Sequence, residues 1–164
     1  MLIVLSGLPG VGKTTIAREL ARTIGAMHLR IDSIEQALRD AGLEVEEEGY
    51  SVAYAIASDN LLLGRDVIAD CVNPWRLTRE AWHRVAAHAG VPALNVEIVC
   101  SDPDEHRRRV ESRVPDIPGH RLPGWAETLG RDYHQWDTER LVIDTACLDA
   151  DQSVRKIVLA IEQG

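Results

Sequence analysis

The sequence predicts a doubly wound α/β domain on a five-stranded parallel sheet, and three observations carry that expectation. Short, β-branched apolar runs recur along the chain and are near-continuous rather than alternating, as strands covered on both faces are. Segments with apolar residues at helical spacing separate them, so strand and helix patterns alternate along the whole length. The first run passes into a glycine-rich turn that opens a helix, the place where such sheets gather ligands beyond the carboxyl ends of their strands.

The first strand is expected over Leu2 to Leu5, and the helix after the turn places Ile16, Leu20 and Ile24 on one face. A second strand is expected over His28 to Ile31. Two helices follow, one with Ile34, Ala37, Leu38 and Ala41 inward and one with Val52, Ala55, Ile56 and Leu63 inward. The third strand is expected over Asp66 to Val72, then a helix with Ala81, Val85 and Ala89, stopped by Gly90 and Pro92. The fourth is expected over Leu94 to Cys100. Asp102, Pro103 and Glu105 then supply a cap, a first-turn proline and a capping-box partner for a helix through Arg113. With only Val110 and Val114 apolar, that helix is read as too polar to be a core element. The fifth strand is expected over Leu141 to Ile143, before a closing helix with Val154, Ile157, Val158 and Ile161 on one stripe. Residues 44 to 49 read as a solvated acidic turn, and residues 114 to 124, with Pro115, Pro118, Pro123, Gly119 and Gly124, as a mobile loop beside a lid.

At 164 residues the chain is expected to form a single domain over 1–164, long enough to bury about two-thirds of its unfolded surface without metal or disulfide. A net charge of −8 disfavours a broad electrostatic grip on nucleic acid or anionic membrane, which leaves a small molecule or a protein as the expected partner. Cys71, Cys100 and Cys147 are odd in number and lack C-x-x-C spacing, so they read as reduced core cysteines. No basic leader or membrane-length apolar stretch is present, and a cytoplasmic location is the expectation. The six histidines have no metal-ligand spacing, so no protein-bound metal site is expected.

Residues Gly7-Leu8-Pro9-Gly10-Val11-Gly12-Lys13-Thr14 match G-x-x-x-x-G-K-[ST] in full, between a strand and a helix. In such a loop consecutive backbone N–H groups surround a polyphosphate, the lysine reaches the β and γ phosphates, and the Thr14 hydroxyl ligates Mg²⁺. Lys13 is one of only two lysines, the other being Lys156, so its place in the motif is not a product of composition. A nucleoside triphosphate, ATP with Mg²⁺, is therefore expected on Gly7, Pro9, Gly10, Val11, Gly12, Lys13, Thr14 and Thr15.

Phosphoryl transfer to a hydroxyl also needs a proton acceptor and charge neutralisation. Asp32, just after the second strand, is the candidate general base; Asp32-Ser33-Ile34-Glu35 equally reads as a capping box. Asp70, in the third apolar run, is either the carboxylate that holds Mg²⁺ through water or a strand-end residue bonded to backbone amides. Asn73, Pro74 and Trp75 follow as acceptor-pocket candidates, although Trp75 reads better as ordinary core. Arg109 and Arg113 are four apart on one helix face, able to clamp phosphate oxygens or to form a solvated basic face. Trp125, Tyr133 and Trp136 read as packing residues.

With these residues in place the chain resembles the small P-loop kinases, the superfamily of nucleoside-monophosphate, shikimate, gluconate and adenylylsulfate kinases. Within it the chain is most similar to the AAA-type ATP-binding kinases that include chloramphenicol phosphotransferase and the kinase domain of polynucleotide kinases. The resemblance is specific at Gly7 to Thr15, at Leu29-Arg30-Ile31-Asp32 and at Arg109-x-x-x-Arg113. It implies a nucleoside-monophosphate-kinase-like P-loop fold with a short lid, catalytic roles for Lys13, Asp32, Arg109 and Arg113, and adenine contact at Thr145-Ala146. The chain departs from polynucleotide kinases in carrying Asp32-x-x-Glu35 where they carry D-x-x-R, which counts against a nucleic-acid end as acceptor. The absence of an N-K-x-D motif favours ATP over GTP. The expected activity is transfer of the γ-phosphate of MgATP to an alcohol group of a small metabolite or antibiotic. A nucleotide-dependent switch or slow ATPase acting on a protein partner is the alternative, and 5′-hydroxyl phosphorylation of nucleic acid a weaker one. The acceptor and the oligomeric state are not legible in the chain.

Overall fold

In the computed structural model, which describes residues 1–163, the order is β1 (Leu2–Ser6), α1 (Lys13–Ile24), β2 (Met27–Arg30), α2 (Ile31–Asp40), α3 (Glu48–Leu62), β3 (Val67–Asp70), α4 (Arg76–Ala89), β4 (Ala93–Val99), α5 (Pro103–Ser112), α6 (Trp125–Leu129), β5 (Leu141–Asp144) and α7 (Ala150–Gln163). All pairings are parallel and the strands lie in the order β2-β3-β1-β4-β5. β1 is central; on one side β2 forms the edge and β3 fills the place beside β1, after which β4 and β5 extend the sheet on the other side. The turn after β1 therefore opens at the switch point of the sheet, where neighbouring connections diverge and leave a crevice.

The strand periodicity of two divides the core. Leu2 and Val4 face a cluster with Leu29, Val67, Ala69 and Trp82, covered by α3 and α4. Ile3 and Leu5 face the other layer with Ile16, Leu20, Ile98 and Ile157, covered by α1 and α7. Strand ends differ from the expected runs by one or two residues. Ile31 opens α2 rather than ending β2, and the third strand is shorter than the Asp66 to Val72 run.

The inward faces of three helices differ from those expected; in α2 the buried residues are Ile31 and Gln36, while Ala37 and Ala41 are exposed. In α3 the buried residues are Gly49, Ala53, Ala57 and Leu61, not Val52, Ala55 and Ile56, and Leu63 caps the helix while 78 % exposed. The alanine and glycine face lets α3 lie close against its neighbours, so small size rather than hydrophobicity selects the side that packs. In α4 the buried stripe is Arg79, Trp82 and Ala86, with Val85 and Ala89 at its margin. A fully buried Trp82, meeting Tyr54 edge-on at 4.6 Å between ring centroids, outweighs a stripe of alanines in setting the rotation. Of the three cysteines only Cys71 is buried; Cys100 is half-buried and Cys147 exposed, so the expected core placement holds for one. Among the described residues no helix is long and apolar enough to cross a membrane.

Candidate active site

The loop after β1 is shaped by backbone contacts that leave no room for side chains. Gly7 has φ 146, its N–H donates to the Val72 carbonyl at 3.1 Å, and a Cβ there would lie 2.2 Å from the Ile98 carbonyl oxygen of β4. Gly10 has φ 85 and its hypothetical Cβ would lie 2.5 Å from Val110 Cγ2 on α5. Gly12 precedes α1 with no side-chain cap bond, which leaves the amides of the first helical turn open toward an anion. The donors present therefore fit a polyphosphate tail. Pro9, Gly10, Gly12, Lys13, Thr14 and Thr15 line a cavity of about 1630 Å³, whereas Gly7 and Val11 do not reach it. Their side of the loop is pressed against β4.

α5, read from its composition as too polar for a core element and as either solvated or organised around a charged group, buries one face against the loop. His106 and Val110 are buried on it, and His106 Nε2 donates to the Pro9 carbonyl at 2.8 Å. His106 also meets Trp125 at 5.1 Å between centroids, nearly perpendicular. One histidine and one valine suffice because the surface they cover is a single backbone turn.

Lys13 is buried, donates to the Leu8 carbonyl at 2.9 Å, and its ammonium is pushed below the ordinary lysine range by burial, with Asp70 and Asp32 pulling the other way. Asp70 ends β3 at 4 % exposure. Burial alone would raise its pKa, but His28 at 3.2 Å, Lys13 and the Thr14 hydroxyl outweigh it and hold the carboxyl below the usual range. Thr14 and an ionised Asp70 thus form the oxygen pair that suits a hydrated magnesium ion. Among the described residues no group of three or more His, Cys, Asp or Glu side chains could hold a metal by itself.

Asp32 is the second residue of α2, and the capping alternative is not formed: the N-cap is Arg30, which makes no side-chain cap bond, and Glu35 pairs with Arg39 at 2.9 Å. Among the described residues the only side-chain bond to Asp32 is from Arg30 Nη2 at 3.4 Å, and about a third of its side chain is open to the cavity. Arg30 itself is buried and donates to Asp116 at 2.8 Å, while Arg18 donates to the same carboxylate at 2.6 Å. Asp116 therefore ties the proline-rich loop to α1 and β2, and these bonds hold its carboxyl far below the usual range.

The two arginines of α5 part company. Arg109 donates to Glu105 at 2.7 Å, to Thr145 Oγ1 at 2.8 Å and to the Thr145 carbonyl at 3.0 Å. Arg113 is half-buried, and its charge is felt by Lys13 while Asp32, Arg30 and Asp116 act on it in turn. Arg109 is bonded at the end of the cavity beside β5, and both arginines line that cavity. Arg109→Ala is expected to weaken MgATP binding about tenfold in calorimetry, since the two charge-assisted bonds that hold the Thr145 turn are lost.

Asp144 closes that turn, accepting from the Ser101 amide and the Ala146 amide, each at 3.0 Å. The Ser101 hydroxyl and amide, then Ala146, hold its carboxyl down to about 2. A carboxylate depressed in the folded state stabilises above its unfolded value near 4, and this is lost as pH falls through the folded value. An acid titration followed by circular dichroism is expected to place the Asp144 contribution between about pH 4 and pH 2, and Asp144→Asn to remove it.

Of the three expected acceptor-pocket candidates, Asn73 is fully buried and does not line the cavity. Pro74 and Trp75 line it, and Trp75 is 42 % exposed rather than core. Tyr50 and Tyr54, one turn apart on α3, line it too. Behind Pro74, Arg79 is 2 % exposed with no carboxylate partner among the described residues. It donates to the carbonyls of Asn73, Pro74, His134 and Gln135 at 2.8–3.2 Å and stacks over Trp136 at 4.0 Å. A charged residue inside an apolar strand, Arg30, and an acid between prolines, Asp116, were the signals available; Arg79 had none, because its acceptors are backbone groups.

A model of the AAA domain family matches residues 2–123. A Pyrococcus furiosus protein provisionally named an adenylate kinase is 37% identical over 73 residues, which are 43% of this chain and 39% of that curated relative's length. An Aeropyrum pernix protein provisionally named an adenylyl-sulfate kinase is 28% identical over 161 residues, 88% of this chain and 83% of its own. Among solved structures, the Mycobacterium tuberculosis APS kinase in complex with AMPPNP and APS superimposes with a TM-score of 0.70 at 17% identity, covering 98% of this chain and 96% of that one.

Proposed function

The chain belongs to the AAA domain family and has the fold of the small P-loop kinases, and on that premise we propose that it is a phosphotransferase moving the γ-phosphate of MgATP to a hydroxyl group of a small molecule. The observation that carries the reading is Asp32: a carboxylate released from helix capping, open to the same cavity as Lys13 and the loop amides. An acceptor hydroxyl beside Asp32 would give its proton to that carboxylate as its oxygen attacks the γ phosphorus, and the bond to the β-bridging oxygen breaks to release ADP. Lys13 and Arg113 offset the charge on the transferred group. Arg109 and Thr145 shape the nucleotide end. Thr14 and Asp70 would hold Mg²⁺, the latter through water, and the ion supplies further charge neutralisation on the phosphate oxygens. We take residues 1–164 to act as one domain in this reaction, on a small molecule rather than on nucleic acid.

Radiolabelled ATP offered with a panel of hydroxyl compounds tests the reading. Transfer of label to one of them, with ADP release well above the water background, is the expected result. ADP release that no acceptor raises, with a protein partner retained only in the ATP state, would replace it with a nucleotide switch.

A further inference from the structure

We propose, resting on the phosphotransferase reading above, that His28 is a positioning residue that fixes the Asp70 carboxylate in the orientation needed to hold the hydrated magnesium ion of the nucleotide. Its Nε2 lies 3.2 Å from Asp70 Oδ2, across one strand pairing. In that pairing His28 stands opposite Ile68 and Arg30 opposite Asp70, so His28 and Asp70 are diagonal neighbours on one face of the sheet. That face is the one on which Ile68 packs with Ile16 and Leu20 of α1, the helix that opens with Lys13 and Thr14.

A carboxylate by itself is loosely aimed. The last torsion of an aspartate is soft, whereas magnesium demands near-ideal octahedral geometry and gives up its waters reluctantly. An acid that meets the ion through those waters has to present its oxygens in one direction. A bond from a ring carried on the neighbouring strand stops the rotation by fixing Oδ2, and with it the direction of Oδ1. The Lys13 ammonium and the Thr14 hydroxyl act on the same carboxylate, which is 4 % exposed, so the orientation His28 sets is the one the phosphate end of the cavity meets. Both the neutral tautomer carrying Nε2–H and the imidazolium donate through this nitrogen, so the bond needs no change of charge.

The bond is not required to join the strands. β2 and β3 are already paired by their backbones from Met27 to Arg30. Nor does His28 reach a ligand itself, because it does not line the cavity that Lys13, Thr14, Asp32 and Asp70 line. Its effect on the reaction therefore passes through Asp70. β2 in this way supports two acids from one face, Asp70 through His28 and Asp32 through Arg30, two residues farther along.

The test compares ADP binding with Mg²⁺ and in EDTA, by calorimetry, for the unaltered chain, His28→Leu and His28→Gln. Leucine keeps apolar bulk without a donor, while glutamine can place an amide N–H near the position of Nε2. His28→Leu is expected to cut the gain in ADP affinity that Mg²⁺ confers about tenfold and to leave affinity in EDTA within about twofold, and His28→Gln to restore most of the loss. The Mg²⁺ concentration for half-maximal label transfer from ATP is expected to rise about tenfold in His28→Leu, with kcat at saturating Mg²⁺ within about threefold. An unchanged Mg²⁺ gain in His28→Leu, equal losses with Mg²⁺ and in EDTA, or no Mg²⁺ gain in the unaltered chain overturns the inference. If His28→Leu fails to fold, His28→Asn, whose amide is one methylene shorter, is set against His28→Gln, and equal Mg²⁺ gains in the two overturn it. Label transfer whose Mg²⁺ dependence ignores His28 would overturn the inference and leave the phosphotransferase reading in place. A Mg²⁺ gain that depends on His28 in a protein that labels no acceptor would sustain the inference about Asp70 and overturn the phosphotransferase reading.

Discussion

Asp32→Asn is expected to lower acceptor phosphorylation by about 10² to 10⁴ while changing MgATP affinity less than about twofold. The substitution keeps the shape of the side chain and an oxygen that can accept from Arg30, but removes the group able to take a proton. The loop amides and Lys13 are untouched, and Asp70 remains the principal carboxylate facing the ammonium. The loss should therefore fall in kcat rather than in nucleotide binding, a split that acceptor titrations at saturating MgATP would reveal. A variant with unchanged kcat would leave Asp32 as a residue that merely begins α2, and the proton would have to leave by another route.

The second large effect is on folding. Gly7→Ala would put a methyl group 2.2 Å from the Ile98 carbonyl oxygen, at a backbone φ of 146 that side chains rarely adopt. Ile98 lies in β4, whose backbone is paired with β1 on one side and β5 on the other, so the oxygen has nowhere to retreat. The loop must move instead. That movement gives up the Gly7 bond to Val72 and the fit of Gly10 against Val110. A destabilisation on the order of 3 kcal/mol is expected, read from the urea midpoint, together with loss of MgATP binding. Glycine elsewhere is less demanding: Gly25, Gly42, Gly64 and Gly90 meet nothing within 4 Å of a hypothetical Cβ.

Features whose physics is local were legible in the chain. The loop announces itself because its glycines and lysine stand at fixed offsets between a strand and a helix, and Asp32 because it follows a strand end. Features set by tertiary competition were not. The rotation of α3 depends on Gly49, Ala53 and Ala57 being small where neighbours come close, which hydrophobic periodicity counts as weak evidence rather than strong. Trp75 looked like core because large aromatic residues usually are, and only the position of the turn before α4 turns it outward. The division of labour between Arg109 and Arg113 was hidden because four-residue spacing places two side chains on one face without saying where their long stems end.

His106 gives the loop a mechanical property. Its imidazole holds the Pro9 carbonyl and also meets Trp125, so the stretch from Arg113 to Gly124 leaves and rejoins the body close to one side chain. Asp116, within that stretch, holds Arg30 at 2.8 Å. The nucleotide end and the segment that carries Asp116 thus share one side chain, His106, as a common support.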